Sequence, residues 1–232
     1  MRYRVTNLHG LLVVDKPAGP SSMDVVRQVR RAAGGCKTGH AGTLDPLATG
    51  VLICCLGRAT RAVETLMGLT KVYEATVDLT AFSTTDDAEG ERTPIDVPQP
   101  PTDDQVRTVL DDLTGPIEQT PPSYSAVKVG GRRAYKLARK GEQVEMPSRI
   151  VQIDAIDVTG YTWPNLHITV TCGKGTYIRS LARQIGQRLG TGGYLTALRR
   201  TAIGPYTIDR AVALDDVPQP LRQEHLLPVP PH

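Results

Sequence analysis

The loop at residues 39–50, GHAGTLDPLATG, is the feature that most constrains this chain. Its three glycines allow tight turns and the close approach of another backbone or a ligand. Pro46 favours an extended backbone at Asp45, which holds the Asp45 side chain in one direction. Asp45 is the only carboxylate between Asp24 and Glu64, a stretch that contains six arginines and lysines. This pattern predicts a positioned, reactive carboxylate, and a turn capped by Asp45 is the structural alternative.

Apolar periodicity on both sides of this loop predicts strands mixed with helices. Capping boxes at Ser21 and Thr102 indicate two helix starts, and residues 82–101 are polar enough to be a loop. Because strands and helices do not alternate regularly, the predicted fold class is α+β, with a mixed, largely antiparallel sheet flanked by helices. The expected strands lie at 11–14, 51–56, 72–79, 150–158 and 166–172, and the expected helices lie at 22–33, 59–67, 103–114 and 178–189.

Charge is segregated along the chain, although the net charge is only +3. Residues 86–118 contain ten acids and two arginines. Residues 121–150 contain seven basic residues and two glutamates, and residues 171–200 contain six basic residues and no acid. This distribution predicts one basic face of the kind that binds a polyanion, although two solvated basic helix faces would give the same counts.

The four cysteines do not indicate a metal or redox site. Cys54 and Cys55 are adjacent in an apolar run and are typical of small buried hydrophobes. Cys36 and His40 are four residues apart but lack the further ligands that a zinc site requires. We also find no signal peptide and no apolar run of membrane-spanning length. We therefore expect a cytoplasmic, reduced protein with no metal.

Five sequence blocks in the same order carry a resemblance to a known family. The run GHAGTLDPLATGVL at 39–52 closely resembles the catalytic motif of the TruB family of tRNA pseudouridine synthases. The resemblance extends from about Leu11 to Tyr206. It implies the pseudouridine synthase fold with a central active-site cleft. The other blocks are DKP at 15–17 with Ser21 and Ser22, KVY at 71–73, SAVKVGG at 125–131, and GKGTYIR at 173–179 followed by LRR at 198–200.

The resemblance assigns a catalytic group of three residues. It implies that Asp45 is the essential carboxylate, and a carboxylate suits a glycosidic centre because it can add to an electron-poor carbon or stabilise an oxocarbenium-like one. It gives Arg179 the role of keeping Asp45 ionised and aimed. It gives Tyr73 the role of stacking on the flipped base and moving the C5 proton. The reaction is an isomerisation without redox change, so no cofactor is implied.

The resemblance also implies a set of residues that surround or bind the substrate. His40 fills space in the catalytic loop, whereas Tyr177 and Leu198 are further pocket contacts. Asp87 is expected to touch the target nucleotide, although Thr80 and Thr84 depart from the usual family pattern around it. Lys16 is expected to give structural support.

The resemblance further assigns a domain organisation and an RNA partner. Residues 1–210 would form the catalytic domain, and within it residues 121–150 would be a basic RNA-gripping arm with a short helix. Residues 211–232 would be a short Pro-rich tail, without the small RNA-binding domain of PUA type that family members usually carry. The expected partner is the T-arm stem-loop of tRNA, bound by a monomer without an obligate protein partner. The substrate-binding residues expected in the arm are Lys128, Arg132 and Arg133.

Three alternatives remain open at this stage. A nucleic-acid glycosylase also needs a flipped base and a carboxylate, but it releases the free base. A catalytically silent tRNA-binding or tRNA-folding protein could use the basic arm alone. Within the family, the alternative is the RNA-guided archaeal and eukaryotic branch. The short helix after Ala59 and the absence of basic tails favour the bacterial stand-alone enzyme, which recognises the T-arm directly.

Overall fold

A computed structural model describes residues 7–125, 128–129, 132–133 and 146–229. The chain divides into two compact units, one formed by Met1–Tyr73 with Leu198–His232 and the other by Glu74–Ala197. The α-helices are α1 (Ser22–Ala32), α2 (Val63–Gly68), α3 (Asp103–Asp112) and α4 (Ile178–Leu189). The strands are β1 (Gly10–Lys16), β2 (Thr38–His40), β3 (Thr49–Leu56), β4 (Lys71–Asp78), β5 (Ala81–Ser83), β6 (Arg92–Pro94), β7 (Gly115–Gln119), β8 (Lys128–Val129), β9 (Arg132–Arg133), β10 (Arg149–Thr162), β11 (Asn165–Cys172), β12 (Tyr194–Ile203), β13 (Tyr206–Thr207) and β14 (Val212–Ala213).

The first unit is a sheet whose central strand, β3, is buried along nearly its whole length. β3 pairs antiparallel with β1 and β2, and parallel with the C-terminal half of β12. The helix α1 packs its apolar side inward, and its start is confirmed by the Ser21 capping box, in which the Ser21 hydroxyl accepts from the Asp24 N–H. Residues 59–67, expected to be one helix, instead form a 3₁₀ segment at Gly57–Ala62 followed by α2.

The second unit contains the strands β7, β10, β11 and the C-terminal part of β4 in neighbouring positions. β10 pairs antiparallel with both β7 and β11. In β4, buried residues alternate with more exposed ones, as the sequence predicted. The predicted capping box at Thr102 opens α3 and is confirmed. The predicted α+β class with a largely antiparallel sheet is therefore confirmed.

The prediction that residues 82–101 form only a loop was wrong. β5 and β6 pair antiparallel as a small hairpin inside this region. Each strand has three residues. Strands this short show too little alternation to be distinguished from a polar loop in the sequence. The hairpin matters because the segment between its strands contains Asp86 and Asp87.

The C-terminal segment after residue 210 packs within the first unit. β14 pairs parallel with β1, and Leu227 exchanges two backbone hydrogen bonds with Leu11. Leu214 and Leu221 are buried. The expected boundary between a catalytic domain at 1–210 and a tail at 211–232 stays a prediction.

The described residues show neither a membrane-crossing helix nor a metal cluster. None of their helices is both long enough and apolar enough to span a bilayer. In the same residues, no group of three or more His, Cys, Asp or Glu side chains is arranged to hold a metal ion.

Candidate active site

The backbone of the Asp45 loop is held by the side chain of Arg200. Arg200 lies on β12 and is 1% exposed. Its Nη2 donates to the Gly42 carbonyl at 3.1 Å and its Nη1 to the Thr43 carbonyl at 3.5 Å. Its Nε donates to the Val51 carbonyl at 2.8 Å, just after the loop. One guanidinium thus contacts the chain on both sides of Asp45.

Ser22, the first residue of α1, holds the next residue of the loop, Leu44. The Ser22 hydroxyl donates to the Leu44 carbonyl at 2.9 Å and accepts from the Leu44 N–H at 2.8 Å. Ser22 is buried, so both bonds are shielded from water. Because Leu44 immediately precedes Asp45, these two bonds fix the backbone that carries the carboxylate.

Lys16, at the end of β1, holds the carbonyl of Pro46, the residue that follows Asp45. Its Nζ is inside the protein and donates to the carbonyls of Pro17, Pro20 and Pro46 at 2.8, 2.9 and 3.1 Å. The Gly19 N–H also donates to the Pro46 carbonyl. This geometry agrees with the structural role that the sequence predicted for Lys16.

Five successive carbonyls, from Gly42 to Pro46, therefore each accept a hydrogen bond. The Asp45 carbonyl itself accepts from the Ala48 N–H at 3.1 Å, which closes a turn. The other four accept from Arg200, Ser22, Lys16 and the Gly19 N–H. A loop held in this way keeps the Cα of Asp45 in one place, as a catalytic group requires.

The electrostatic environment of this loop involves two buried cations and a neutral imidazole. Burial is the main cause that lowers the pKa of Lys16 to about 8, while the Asp45 charge raises it and the Arg200 charge lowers it. Burial, together with the Arg200 charge, also lowers the pKa of His40 below its usual value. His40 is therefore neutral at pH 7 and fits the space-filling role expected for it.

Tyr73 and Leu198 belong to the same unit as Asp45. Tyr73 is the third residue of β4 and is largely buried. Its ring centroid lies 6.0 Å from the Arg200 guanidinium carbon. Leu198 is buried on β12, two residues before Arg200 and therefore on the same strand face. Arg200 thus contacts the Asp45 loop and faces the ring of Tyr73.

Arg179, in the second unit, is the second residue of α4 and is buried with Asp87. Its Nη1 lies 3.2 Å from the Asp87 carboxylate, and the two side chains are 5% and 3% exposed. Arg179 also donates to the carbonyls of Thr85 and Tyr124 at 3.0 and 3.1 Å. Arg179 therefore does not face solvent, and the segment between β5 and β6 lies against it.

Asp87 makes several contacts with the protein. Besides Arg179, it accepts from the Thr85 hydroxyl and from the Glu89 N–H. Its neighbour Asp86 pairs with Arg183, one turn further along α4. Burial is the main cause that raises the pKa of Asp86 to about 6, and Arg183 opposes that shift. These pairs hold the hairpin segment against α4, and the contact of Asp87 with a nucleotide stays a prediction.

Tyr177, the N-cap residue of α4, is held at both its backbone and its ring. Its N–H donates to the buried Gln119 side chain at 2.7 Å. The Arg149 guanidinium carbon lies 5.2 Å from the Tyr177 ring centroid, and Arg149 also donates to the Gly175 carbonyl. A cation this close to an aromatic face is attracted to it, which favours one ring orientation.

The arm residues can be placed only by their backbone. Lys128 and Arg133 are paired, as are Val129 and Arg132, in a two-stranded antiparallel hairpin. The side chains of Lys128, Arg132 and Arg133 lie outside what the structure describes. The short helix expected in the arm also lies outside the described residues. The RNA-binding role of the arm stays a prediction.

Sequence reasoning missed Arg200 and Ser22 as parts of this site. Both belonged to matched blocks, but neither received a role. One signal could have found Arg200, because Leu198 and Arg200 are two residues apart and share a face if this run is a strand, but no strand was predicted here. An inward arginine on an apolar strand face requires hydrogen-bond partners, which only the fold identifies.

Comparison with known proteins matches most of the chain to one family. Residues 30–178 match the family model described as "TruB family pseudouridylate synthase (N terminal domain)", and residues 179–228 match "tRNA pseudouridylate synthase B C-terminal domain". Two relatives named "tRNA pseudouridine synthase B" are similar over most of the chain. The one from Thermobifida fusca is 51% identical over 219 residues, which are 90% of this chain and 74% of the relative. The one from Paenarthrobacter aurescens is 48% identical over 220 residues, which are 92% of this chain and 71% of that relative.

Solved structures show the same fold. A chain of a Cbf5–Nop10–Gar1 complex aligns with a TM-score of 0.70 and 32% identity over 90% of this chain. A chain of an H/ACA RNP bound to a substrate RNA containing 2′-deoxyuridine aligns with a TM-score of 0.67 and 30% identity, also over 90% of this chain. The protein spans about half the length of these two chains, 53% and 52%. On the family models and the relatives together, the chain belongs to the TruB family of pseudouridylate synthases, which are isomerases.

Proposed function

We propose that this protein isomerises the T-loop uridine of tRNA, position 55, to pseudouridine in the cytoplasm. The observation that carries the proposal is the Asp45 loop, in which five successive carbonyls are hydrogen-bonded around a single carboxylate. The names of the relatives, "tRNA pseudouridine synthase B", support tRNA as the substrate. We further propose that the protein acts as a monomer without an obligate partner.

The reaction explains why the Asp45 backbone must be held. The C1′–N1 glycosidic bond breaks, the uracil ring turns, and C1′ bonds to C5, while a proton leaves C5 and N1 gains one. Atoms and electrons balance without an external reactant. A carboxylate assists only from a near-attack distance, and a displacement of about 1 Å can cost about 100-fold in rate. The clamped loop supplies that precision.

Tyr73 and Arg179 complete the proposed catalytic group. Tyr73 stacks on the flipped uracil, and its hydroxyl assists the transfer of the C5 proton. Arg179 stabilises an anionic carboxylate, and the Asp87 pair keeps the guanidinium oriented in a buried setting. The pairing of Arg179 with Asp45 stays a prediction from the family resemblance. Tyr177 and Leu198 are proposed to line the base pocket, and His40 is proposed to fill space in the catalytic loop beside the substrate.

Direct recognition of tRNA is favoured over RNA-guided action. The relatives named as tRNA pseudouridine synthases are about 50% identical to this chain, whereas the H/ACA chain is 30% identical. The segregated basic stretches at 121–150 and 171–200 support binding of a polyanion. We propose that the arm at 121–150 grips the T-arm stem-loop.

The test is to incubate the protein with an unmodified T-arm stem-loop and no guide RNA, and then to map pseudouridine. We expect pseudouridine at the position equivalent to 55, without free uracil. Free uracil would indicate a glycosylase, and binding without either product would indicate a silent RNA-binding protein. A stem-loop with cytidine at the target position controls for modification elsewhere.

Neutralising the arm should reduce the salt dependence of RNA binding. The triple change Lys128→Gln, Arg132→Gln and Arg133→Gln should weaken binding. It should also reduce the slope of log affinity against log salt by about 0.7 for each lost single-strand phosphate contact. The measurement is Kd for the T-arm stem-loop at several salt concentrations. The control is Arg107→Gln, an exposed change on α3 within the acidic stretch. An unchanged slope in the triple variant would place the arm away from RNA.

A further inference from the structure

We propose that Arg200 is a positioning residue that sets the place of Asp45 relative to Tyr73. The inference rests on the proposed function, in which these two residues act on the same nucleotide. Arg200 is not proposed to touch the substrate. It acts by fixing the loop and by facing the tyrosine ring.

The burial of Arg200 shows that it is held in place on several sides. A buried charge is tolerated only when hydrogen bonds replace water, and Arg200 is 1% exposed. Its side chain donates to the carbonyls of Gly42, Thr43 and Val51. These carbonyls lie before and after Asp45 in the chain. The planar guanidinium therefore ties the two ends of the catalytic loop together.

The main chain of Arg200 holds the far end of the same loop. Gly50 is its partner in the parallel pairing of β12 with β3. Gly50 has φ +99°, and a Cβ at this position would lie 2.2 Å from the Arg200 carbonyl oxygen. Only glycine allows this approach without displacing the backbone. Arg200 therefore contacts both ends of the loop with its side chain and the far end also with its backbone.

The Tyr73 ring provides the link to the second proposed catalytic side chain. Its centroid lies 6.0 Å from the guanidinium carbon, at the outer limit of about 6 Å for a cation–π contact. Arg200 thus lies between the strand that carries Tyr73 and the loop that carries Asp45. A shift of Arg200 would change the distance between these two residues.

Lysine cannot replace Arg200 in this geometry. An ammonium group carries the same charge, but its donors diverge from a single nitrogen, whereas the guanidinium spreads five donors over a rigid plane. The charge and geometric roles of Arg200 can therefore be separated. The charge also acts locally, because it helps lower the pKa of Lys16 and of His40.

The experiment compares Arg200→Lys and Arg200→Met with the wild type in single-turnover pseudouridine formation on the T-arm stem-loop. We expect both variants to lose about 100-fold in rate, the size that a displacement of about 1 Å produces, with RNA affinity within about three-fold. Assays are run well below the melting temperature of each variant. The matched control is Arg199→Lys on the same strand, because the Arg199 side chain is 37% exposed and pairs with Asp15. We expect this control to retain the rate.

Each outcome decides the proposal. Wild-type rates in a folded Arg200→Met variant would overturn it. Wild-type rates in Arg200→Lys would overturn it too, because charge alone would then be sufficient. If neither variant folds, the role of Arg200 is purely structural and the proposal is also overturned. Absence of pseudouridine with the wild-type protein would overturn the proposed function itself, and activity of Asp45→Asn would overturn the catalytic role of Asp45. An inactive Asp45→Asn beside an Arg200→Met variant with the wild-type rate would overturn only this inference.

Discussion

Asp45→Asn is expected to abolish pseudouridine formation while the affinity for RNA stays within a few-fold. Removal of a single catalytic carboxylate typically lowers the rate by about 10⁴-fold or more. The bonds that hold the loop use main-chain atoms of residues 42–46, so an amide at position 45 leaves them in place. The rate of pseudouridine formation should therefore fall while the affinity for RNA is retained. The measurements are the single-turnover rate and Kd on the same T-arm stem-loop.

The control for this change is Asp209→Asn, which removes an exposed carboxylate in the same unit. We expect it to keep the wild-type rate. If Asp45→Asn still formed pseudouridine at a comparable rate, the catalytic role of Asp45 would be wrong. A large loss of RNA affinity in Asp45→Asn would instead indicate that the carboxylate serves binding.

Asp87→Asn should destabilise the protein and lower the rate together. Asp87 and Arg179 form a buried ion pair with side chains 3% and 5% exposed. Breaking a buried ion pair by removing one partner costs about 3–5 kcal/mol of stability, because the remaining charge stays buried without that opposite charge. The Arg179 guanidinium also loses one of the contacts that orient it, and a displacement of about 1 Å can lower turnover by about 100-fold. Urea unfolding and single-turnover rates measure the two effects.

The same helix offers a matched control for the ion pair. Arg188 and Asp112 lie 3.8 Å apart, with side chains 46% and 66% exposed. An exposed pair contributes only about 0–1 kcal/mol, so Asp112→Asn should change the free energy of unfolding little. Equal losses from Asp87→Asn and Asp112→Asn would contradict the importance of burial. A normal rate in a destabilised Asp87→Asn variant would show that the pair serves stability alone.

Local sequence signals were sufficient for several elements of the fold. The Ser21 and Thr102 capping boxes predicted the starts of α1 and α3, because a cap joins residues only three positions apart. Alternation predicted β4, since successive side chains on a strand point to opposite faces. The hairpin of β5 and β6 was missed because strands of three residues carry almost no periodicity.

The sequence by itself determined that the Asp45 loop is the candidate catalytic element. Its glycines, its proline and its single carboxylate lie within twelve residues of the chain, so the sequence alone predicts that they position the carboxylate. Only the tertiary structure decided what holds that loop. Ser22 and Leu44 are 22 residues apart, Arg200 and Gly42 are 158 apart, and Arg179 and Asp87 are 92 apart. Hydrogen bonds and buried ion pairs act over about 3 Å, and folding alone brings such distant residues that close.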